Sequence, residues 1–158
     1  MTKFETFLHL AERLNREFEI LPLLYGSLGL EQRLGMDLHA DDIDILIPQI
    51  WLQDQWETLA KWMAQLGYEL YDLHEHAFCN DGVSVAFASL ESLSTFAGIE
   101  IAKIPMVRYN NTRYLLLDLE DYRKVYAASS LDGYRKDRKN KDDSAKIALI
   151  DQARNQSS

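Results

Sequence analysis

Apolar residues recur at helical spacing through positions 4–18, where Phe4, Phe7, Leu8, Ala11, Leu14 and Phe18 share one stripe with charged residues between them. Positions 20–25 form a short apolar run containing Pro22, which reads as a strand whose first part is irregular. Gly26-Ser27-Leu28-Gly29 breaks that run, and a short helical piece to about Leu34 follows. Ile43, Ile45 and Ile47 alternate with Asp42, Asp44 and Leu46, the period of a strand, and Pro48 closes it. Helical spacing returns over 51–66 through Leu52, Trp56, Leu59, Ala60, Met63 and Leu66, with Gly67 as its stop. Positions 68–73 and 76–79 read as extended, Asn80-Asp81-Gly82 as a turn, and Val83, Val85 and Phe87 as a further strand. A short helix over 90–96 ends at Gly98, and 99–109 and 113–117 can pair across Asn110-Asn111. Asp118 caps a helix to about Ser129, and a last helix covers about 135–154. This order predicts one α/β (α+β) domain over 1–158, a mixed sheet flanked by helices with a helical C-terminal end.

Composition narrows the class. The chain has 158 residues, 47% hydrophobic and 27% charged, a globular balance. A domain this long buries about two-thirds of its extended surface and needs no disulfide. Cys79, the single cysteine, cannot bridge internally and fits a reducing compartment. No apolar run approaches the roughly 20 residues that span a bilayer. The start Met1-Thr2-Lys3-Phe4-Glu5 lacks the pattern of a secretory signal, so a cytoplasmic protein is expected. The net charge of −8 disfavours a nucleic-acid backbone as partner, yet leaves room for a small anion beside a local basic cluster. Arg135, Lys136, Arg138, Lys139 and Lys141 form such a cluster, read first as a solvated helix face.

Two features carry candidate chemistry. Leu23-Leu24-Tyr25 runs into Gly26-Ser27, where glycine lets the backbone approach a bulky anion and serine offers a hydroxyl and an amide to phosphate oxygens. Asp42-Ile43-Asp44-Ile45 places two carboxylates on one strand face, about 6.5–7 Å apart along it. Hard cations such as Mg²⁺ take one or two carboxylates together with substrate phosphates. The plain alternatives are an ordinary turn at Gly26-Ser27 and an acidic, solvent-facing strand edge at Asp42 and Asp44. Acids crowded at Asp41, Asp42 and Asp44 are costly inside a sheet, which favours the functional reading of the pair.

Together, Leu24-Tyr25-Gly26-Ser27 and Asp42-Ile43-Asp44-Ile45 resemble the signature of the DNA polymerase β-type nucleotidyltransferases, particularly their small antibiotic-modifying and minimal bacterial members. The likeness covers residues 18–90 well and the C-terminal third loosely, where Lys141-Asp142 is similar to a lysine-aspartate pair of several bacterial members. It implies a metal-dependent enzyme that moves a nucleoside monophosphate from a nucleoside triphosphate onto a hydroxyl of a small molecule or protein. Asp42 and Asp44 would hold Mg²⁺ (or Mn²⁺), Gly26 and Ser27 would bind the β- and γ-phosphates, and Lys141 or Arg135 would neutralise the leaving pyrophosphate. Acceptor pockets of such folds are built from loops and often a second subunit, so a homodimer fits the expectation.

The chain departs from that pattern in the length of its segment between Ser27 and Asp42, and in its acids. Active members carry a third carboxylate on a neighbouring strand, and the strand expected to carry it reads Val83-Ser84-Val85-Ala86-Phe87-Ala88. Asp72, Asp81 or Glu91 would have to stand in. If none does, a catalytically silent relative that binds nucleotide or a partner becomes the alternative. Asp72, His74 and His76 alternate and could share a face, as a zinc site without an evident further ligand or as polar neighbours of the cleft. Tyr122, Tyr126 and Tyr134, like Trp51, Trp56 and Trp62, read as packing. An eight-stranded (β/α) barrel, the fold expected of a phosphoribosylanthranilate isomerase, needs about 200 residues or more and a repeated strand-helix alternation. No Gly-x-x-x-x-Gly-Lys-Ser/Thr stretch supports a P-loop.

Overall fold

Thr2 starts the first helix, α1 (Lys3–Phe18), with a reciprocal cap: its hydroxyl accepts from the Glu5 amide at 3.1 Å, and the Glu5 carboxylate accepts from the Thr2 amide at 2.9 Å. The computed structural model describes residues 1–131 and 136–156, with the side chains of 136–142 outside the description. After α1 come β1 (Leu23–Tyr25), α2 (Gly26–Leu34), β2 (Asp42–Ile47), a 3₁₀ turn (Gln49–Leu52) and α3 (Trp56–Gln65). The strands β3 (Glu69–Asp72), β4 (Ala77–Asn80) and β5 (Val83–Ser89) precede α4 (Ser92–Ala97) and a second 3₁₀ turn (Ile101–Lys103). The hairpin β6 (Met106–Tyr109) and β7 (Thr112–Leu115) leads to α5 (Leu119–Ser130) and α6 (Lys136–Gln156). Asp118 caps α5 by accepting from the Asp121 amide at 2.8 Å, as its position predicts.

Two expectations are corrected. The helix expected over 51–66 is divided, because Gln49–Leu52 is a 3₁₀ turn and α3 begins only at Trp56. Trp51 and Leu52 pack on the same core as α3, so the apolar period runs unbroken across a break in the backbone. The extended reading of 99–105 also fails. Ile99 and Ile104 are buried around the exposed Ala102 and Lys103, an irregular spacing that a 3₁₀ turn satisfies.

The strands form one mixed sheet in the order β3-β4-β5-β2-β1-β7-β6. β2 runs parallel to β5 and β1 parallel to β7, while the other neighbours are antiparallel. Strand alternation then sorts β2. Ile43, Ile45 and Ile47 are fully buried in a core with Phe7, Leu14, Leu59 and Met63 of α1 and α3. Leu46 faces the other way, into a second core with Leu23, Leu30, Tyr122, Val125 and Ile150 beneath α2, α5 and α6. Asp42 and Asp44 share that second face. Farther along it, Asp42, Asp44 and Leu46 are in register with Ser84, Ala86 and Ala88 of β5, small residues that leave the sheet open beside the helices. The carboxylate pair thus stands at a seam between a helix-covered half of the sheet and an open half.

Candidate active site

Gly26 leaves no room for a side chain. Its φ of +67° is a conformation that side chains disfavour, and a Cβ there would lie 2.5 Å from Oδ2 of Asp44. Tyr25 pairs directly with Asp44 across the antiparallel β1 and β2, which brings this carboxylate against the bend. α2 starts at Gly26 with no side-chain cap at Tyr25, and the amides of its first turn lie at the positive end of the helix. Gly26-Ser27 and Asp44 therefore adjoin. One presents backbone amides and a hydroxyl, and the other a carboxylate.

Tyr122 of α5 fixes the bend from below. Its fully buried hydroxyl donates to the Gly26 carbonyl at 3.1 Å, with the Leu24 carbonyl at 3.5 Å, and burial holds the phenol well above its ordinary pKa. Tyr122→Phe removes that donor and is expected to cost about 1–2 kcal/mol. For a chain of this length that lowers the melting temperature by about 2–8 °C. A thermal melt checks it, and an unchanged midpoint would show that the bend holds without this bond.

Two cavities meet at the carboxylates. The narrower, about 320 Å³, is lined by Tyr25, Gly26, Ser27, Asp41, Asp42 and Asp44 on the sheet side. Phe96 of α4, Tyr122, Val125, Tyr126 and Ser129 of α5, and Asp143 and Lys146 of α6 complete it. The wider, about 1040 Å³, is a groove over the open half of the sheet that shares Tyr25, Asp42 and Asp44 with the first. Its floor includes Ala77, Ser84, Ala86 and Ala88, and its walls include Tyr71, Asp72, His74, Glu75 and His76 opposite Gln49, Glu91, Ser92 and Thr95.

Alternation on β2 brings Asp42, Asp44, Gly26 and Ser27 to one cavity. Arg135 lies outside the described residues, and of Lys141 only the helical backbone is described. The helix that carries Lys141 does reach the bend, through Asp143 and Lys146. Asp72 and Glu91 line the groove, but each carboxylate accepts local amides, Asp72 from Glu75 at 3.1 Å and Glu91 from Gln49 at 3.1 and 3.2 Å. Asp81 lies in the β4–β5 turn at φ 53° and lines neither cavity. Among the described residues no three Asp, Glu, His or Cys side chains gather closely enough to hold a metal ion. The expected stand-ins for a third acid therefore do not join the pair, and His74 and His76 do not form a zinc site with Asp72. Opposite Asp42 stands Ser84, whose hydroxyl lies 2.7 Å from that of Tyr71, and opposite Asp44 stands Ala86. His76 packs edge-on against Trp56 at 4.7 Å between ring centres, and partial burial lowers its pKa.

Sequence reasoning misses the inner wall. Tyr126, Ser129 and Asp143 are 7%, 3% and 4% exposed, and Tyr126 Oη, Ser129 Oγ and Asp143 Oδ2 have no hydrogen-bond partner among the described residues. Burial above all, then Tyr25 and Asp143, pushes the Tyr126 phenol far above its ordinary pKa; Ser27 draws it slightly back without completing a hydrogen bond. The ammonium of Lys146 sits over the Tyr126 ring, 5.2 Å from its centre. The signal was faint: Tyr122, Tyr126 and Ser129 follow the i, i+4, i+7 spacing of one helix face, which core packing produces equally.

Among known proteins, no protein-family model matches the chain. It is 41% identical over 150 residues to the "Uncharacterized protein YnaI" of Bacillus subtilis (strain 168), covering 95% of this chain and 96% of that protein. The fold is similar to an antigenic nucleotidyltransferase-like protein from Paracoccidioides brasiliensis, with a TM-score of 0.61 and 15% identity over 92% of this chain and 73% of that one. It is also similar to the antibiotic-resistance factor ANT(2'')-Ia in solution, with a TM-score of 0.51 and 16% identity over 100% of this chain and 86% of that one. The crystal structure of ANT(2'')-Ia with adenylyl-2''-tobramycin gives a TM-score of 0.51 and 15% identity over 99% and 100% of the two chains. The chain belongs to one family with Bacillus subtilis YnaI and has the nucleotidyltransferase fold, with its glycine-serine bend and aspartate pair placed where two cavities join.

Proposed function

We propose that this protein binds a nucleoside triphosphate with a divalent ion in the narrow cavity and transfers its nucleoside monophosphate to a hydroxyl of an acceptor lying in the open groove. The observation that supports this most is the position of Asp42 and Asp44, which line both cavities while Asp44 abuts Gly26. Two carboxylates on one strand face beside a phosphate cradle suit Mg²⁺ or Mn²⁺, which complete their shells with phosphate oxygens and water. Such an ion, when bound, offsets phosphate charge and orients the reacting oxygens. The amides at the start of α2 and the Ser27 hydroxyl donate to non-bridging phosphate oxygens. Lys146 meets the negative charge of the departing pyrophosphate, with Lys141 and Arg135 as further cations from the same part of the chain. The groove presents the acceptor on the far side of the aspartates from the helices, which suits displacement at the α-phosphorus.

A second reading, nucleotide binding without transfer, is favoured by one observation: Ser84 and Ala86 occupy the register positions beside the aspartates, and no further acid joins the pair among the described residues. One experiment separates the two. The protein is incubated with α-³²P-labelled nucleoside triphosphates, Mg²⁺ and a cell extract containing small molecules and proteins. Transfer gives a labelled product that is absent with Asp44→Asn. Retained Mg²⁺-dependent nucleotide binding with no labelled product would establish the second reading.

A further inference from the structure

The inner wall of the narrow cavity has a chemistry that phosphate does not explain. Tyr126, Ser129 and Asp143 come from two helices, each is more than nine-tenths buried, and each lines the cavity while holding a buried oxygen without a partner among the described residues. Unmet buried polar atoms are costly and uncommon in native structures, and several lining one cavity mark a place where a ligand completes them. The set is selective. An ionised phosphate has only acceptor oxygens and is repelled by the Asp143 carboxylate. Among the described residues Asp143 joins no group of three acid, histidine or cysteine side chains that could hold a further ion at this wall. Two hydroxyls and a carboxylate match a group that both donates and accepts, such as neighbouring hydroxyls on a sugar ring, whose protons a carboxylate takes well. The Tyr126 phenol remains protonated at neutral pH and so remains a donor.

We infer that Tyr126, Ser129 and Asp143 form a ribose subsite that selects ribonucleotides over deoxyribonucleotides, with Asp143 accepting from the ring hydroxyls. The inference rests on the nucleotide reading above. It adds what that reading leaves open, the sugar of the donor. The geometry favours the nucleotide's sugar over an acceptor's, because the wall lies within the narrow cavity with Gly26 and Ser27, whereas the acceptor's groove contains none of the three residues.

Titration calorimetry with Mg²⁺ and, in turn, ATP, 2'-deoxy-ATP, 3'-deoxy-ATP and inorganic tripolyphosphate tests it on the wild-type chain, Asp143→Asn, Tyr126→Phe and Ser129→Ala. The wild-type chain is expected to bind ATP about tenfold more tightly than at least one deoxy form, since a hydrogen bond to a charged group is lost. Asp143→Asn should erase that preference without weakening tripolyphosphate binding, and Tyr126→Phe and Ser129→Ala should reduce the preference. Without ligand, all three variants should melt at or above the wild-type temperature, because Tyr126→Phe and Ser129→Ala delete an unmet buried oxygen and Asp143→Asn removes a buried charge. Equal binding of ATP and both deoxy forms by the wild-type chain would overturn the subsite while tripolyphosphate binding kept the nucleotide reading intact. A large loss of unliganded stability in Asp143→Asn would likewise overturn it, by showing that the carboxylate has a structural partner. Failure of the wild-type chain to bind tripolyphosphate or ATP would remove both readings.

Discussion

Replacing Asp42 and Asp44 together by asparagine should abolish the Mg²⁺-dependent part of the thermal stabilisation that a nucleoside triphosphate gives the wild-type chain. A ligand at a hundredfold its dissociation constant stabilises the folded state by about 2.7 kcal/mol. For a chain of this length that corresponds to a rise of about 5–10 °C in melting temperature. The double substitution keeps the shape of both side chains and removes both charges, so an ion loses both of its charged ligands. Asp42 is exposed at the start of β2 and Asp44 is half-buried beside Gly26, so the unliganded fold should tolerate the change. The comparison is a thermal-shift series over ATP, GTP, CTP and UTP, with Mg²⁺ and with EDTA. A Mg²⁺-dependent shift of equal size in the double variant would place the ion elsewhere.

Gly29→Ala should be the most damaging glycine-to-alanine change among the described residues. A Cβ at Gly29 would collide with the hydroxyl of the fully buried Tyr122 and lie 2.6 Å from the Leu24 carbonyl oxygen. Neither neighbour can yield, because Leu24 lies inside a strand pair and Tyr122 is packed beneath the bend. Overpacking of this kind costs up to about 3 kcal/mol. The melting temperature should then fall by about 6–12 °C, and nucleotide binding should weaken as Tyr122 is pushed off the Gly26 carbonyl. Gly35→Ala is the control. It has a positive φ of +67° with nothing within 4 Å of an added Cβ, and should cost only about 1 kcal/mol from backbone strain. Equal losses at the two positions would mean that the tight approach of α2, β1 and α5 is not what Gly29 serves.

The parts of this site that sequence reveals are those where local pattern alone determines geometry. Asp42 and Asp44 two apart among buried isoleucines leave one possible assignment of faces, and the structure adopts it. Asn80-Asp81-Gly82 closes the β4–β5 hairpin with Asp81 and Gly82 both at positive φ, as that turn chemistry requires. Identification of β5 also made the lack of an acid there readable, and the parallel register with β2 confirms Ser84 and Ala86 as the neighbours. Asp143 is different. In sequence it belongs to a highly charged stretch, and nothing local says that α6 turns it inward against α5 while its neighbours Ser144 and Ala145 are exposed. Tyr126 and Ser129 were hidden for the opposite reason, since a helix face of tyrosine and serine packs a core as readily as it lines a pocket. The Tyr71–Ser84 contact needed the irregular register between Leu70 and Asp72, which no periodicity reports. Long-range contacts of this kind depend on sheet order and helix placement, neither of which is written in any one segment.

In the proposed site an ion and a polyphosphate meet between the aspartates of β2 and the start of α2. Electron paramagnetic resonance of Mn²⁺ titrated into the protein with ATP addresses it directly, because bound and free Mn²⁺ give distinct signals. The wild-type chain should hold Mn²⁺ in an ATP-dependent manner, and Asp44→Asn or Asp42→Asn should each weaken that binding by about tenfold or more, the loss of one charged ligand. Mn²⁺ binding that is indifferent to both substitutions, or that does not depend on nucleotide, would contradict the assignment.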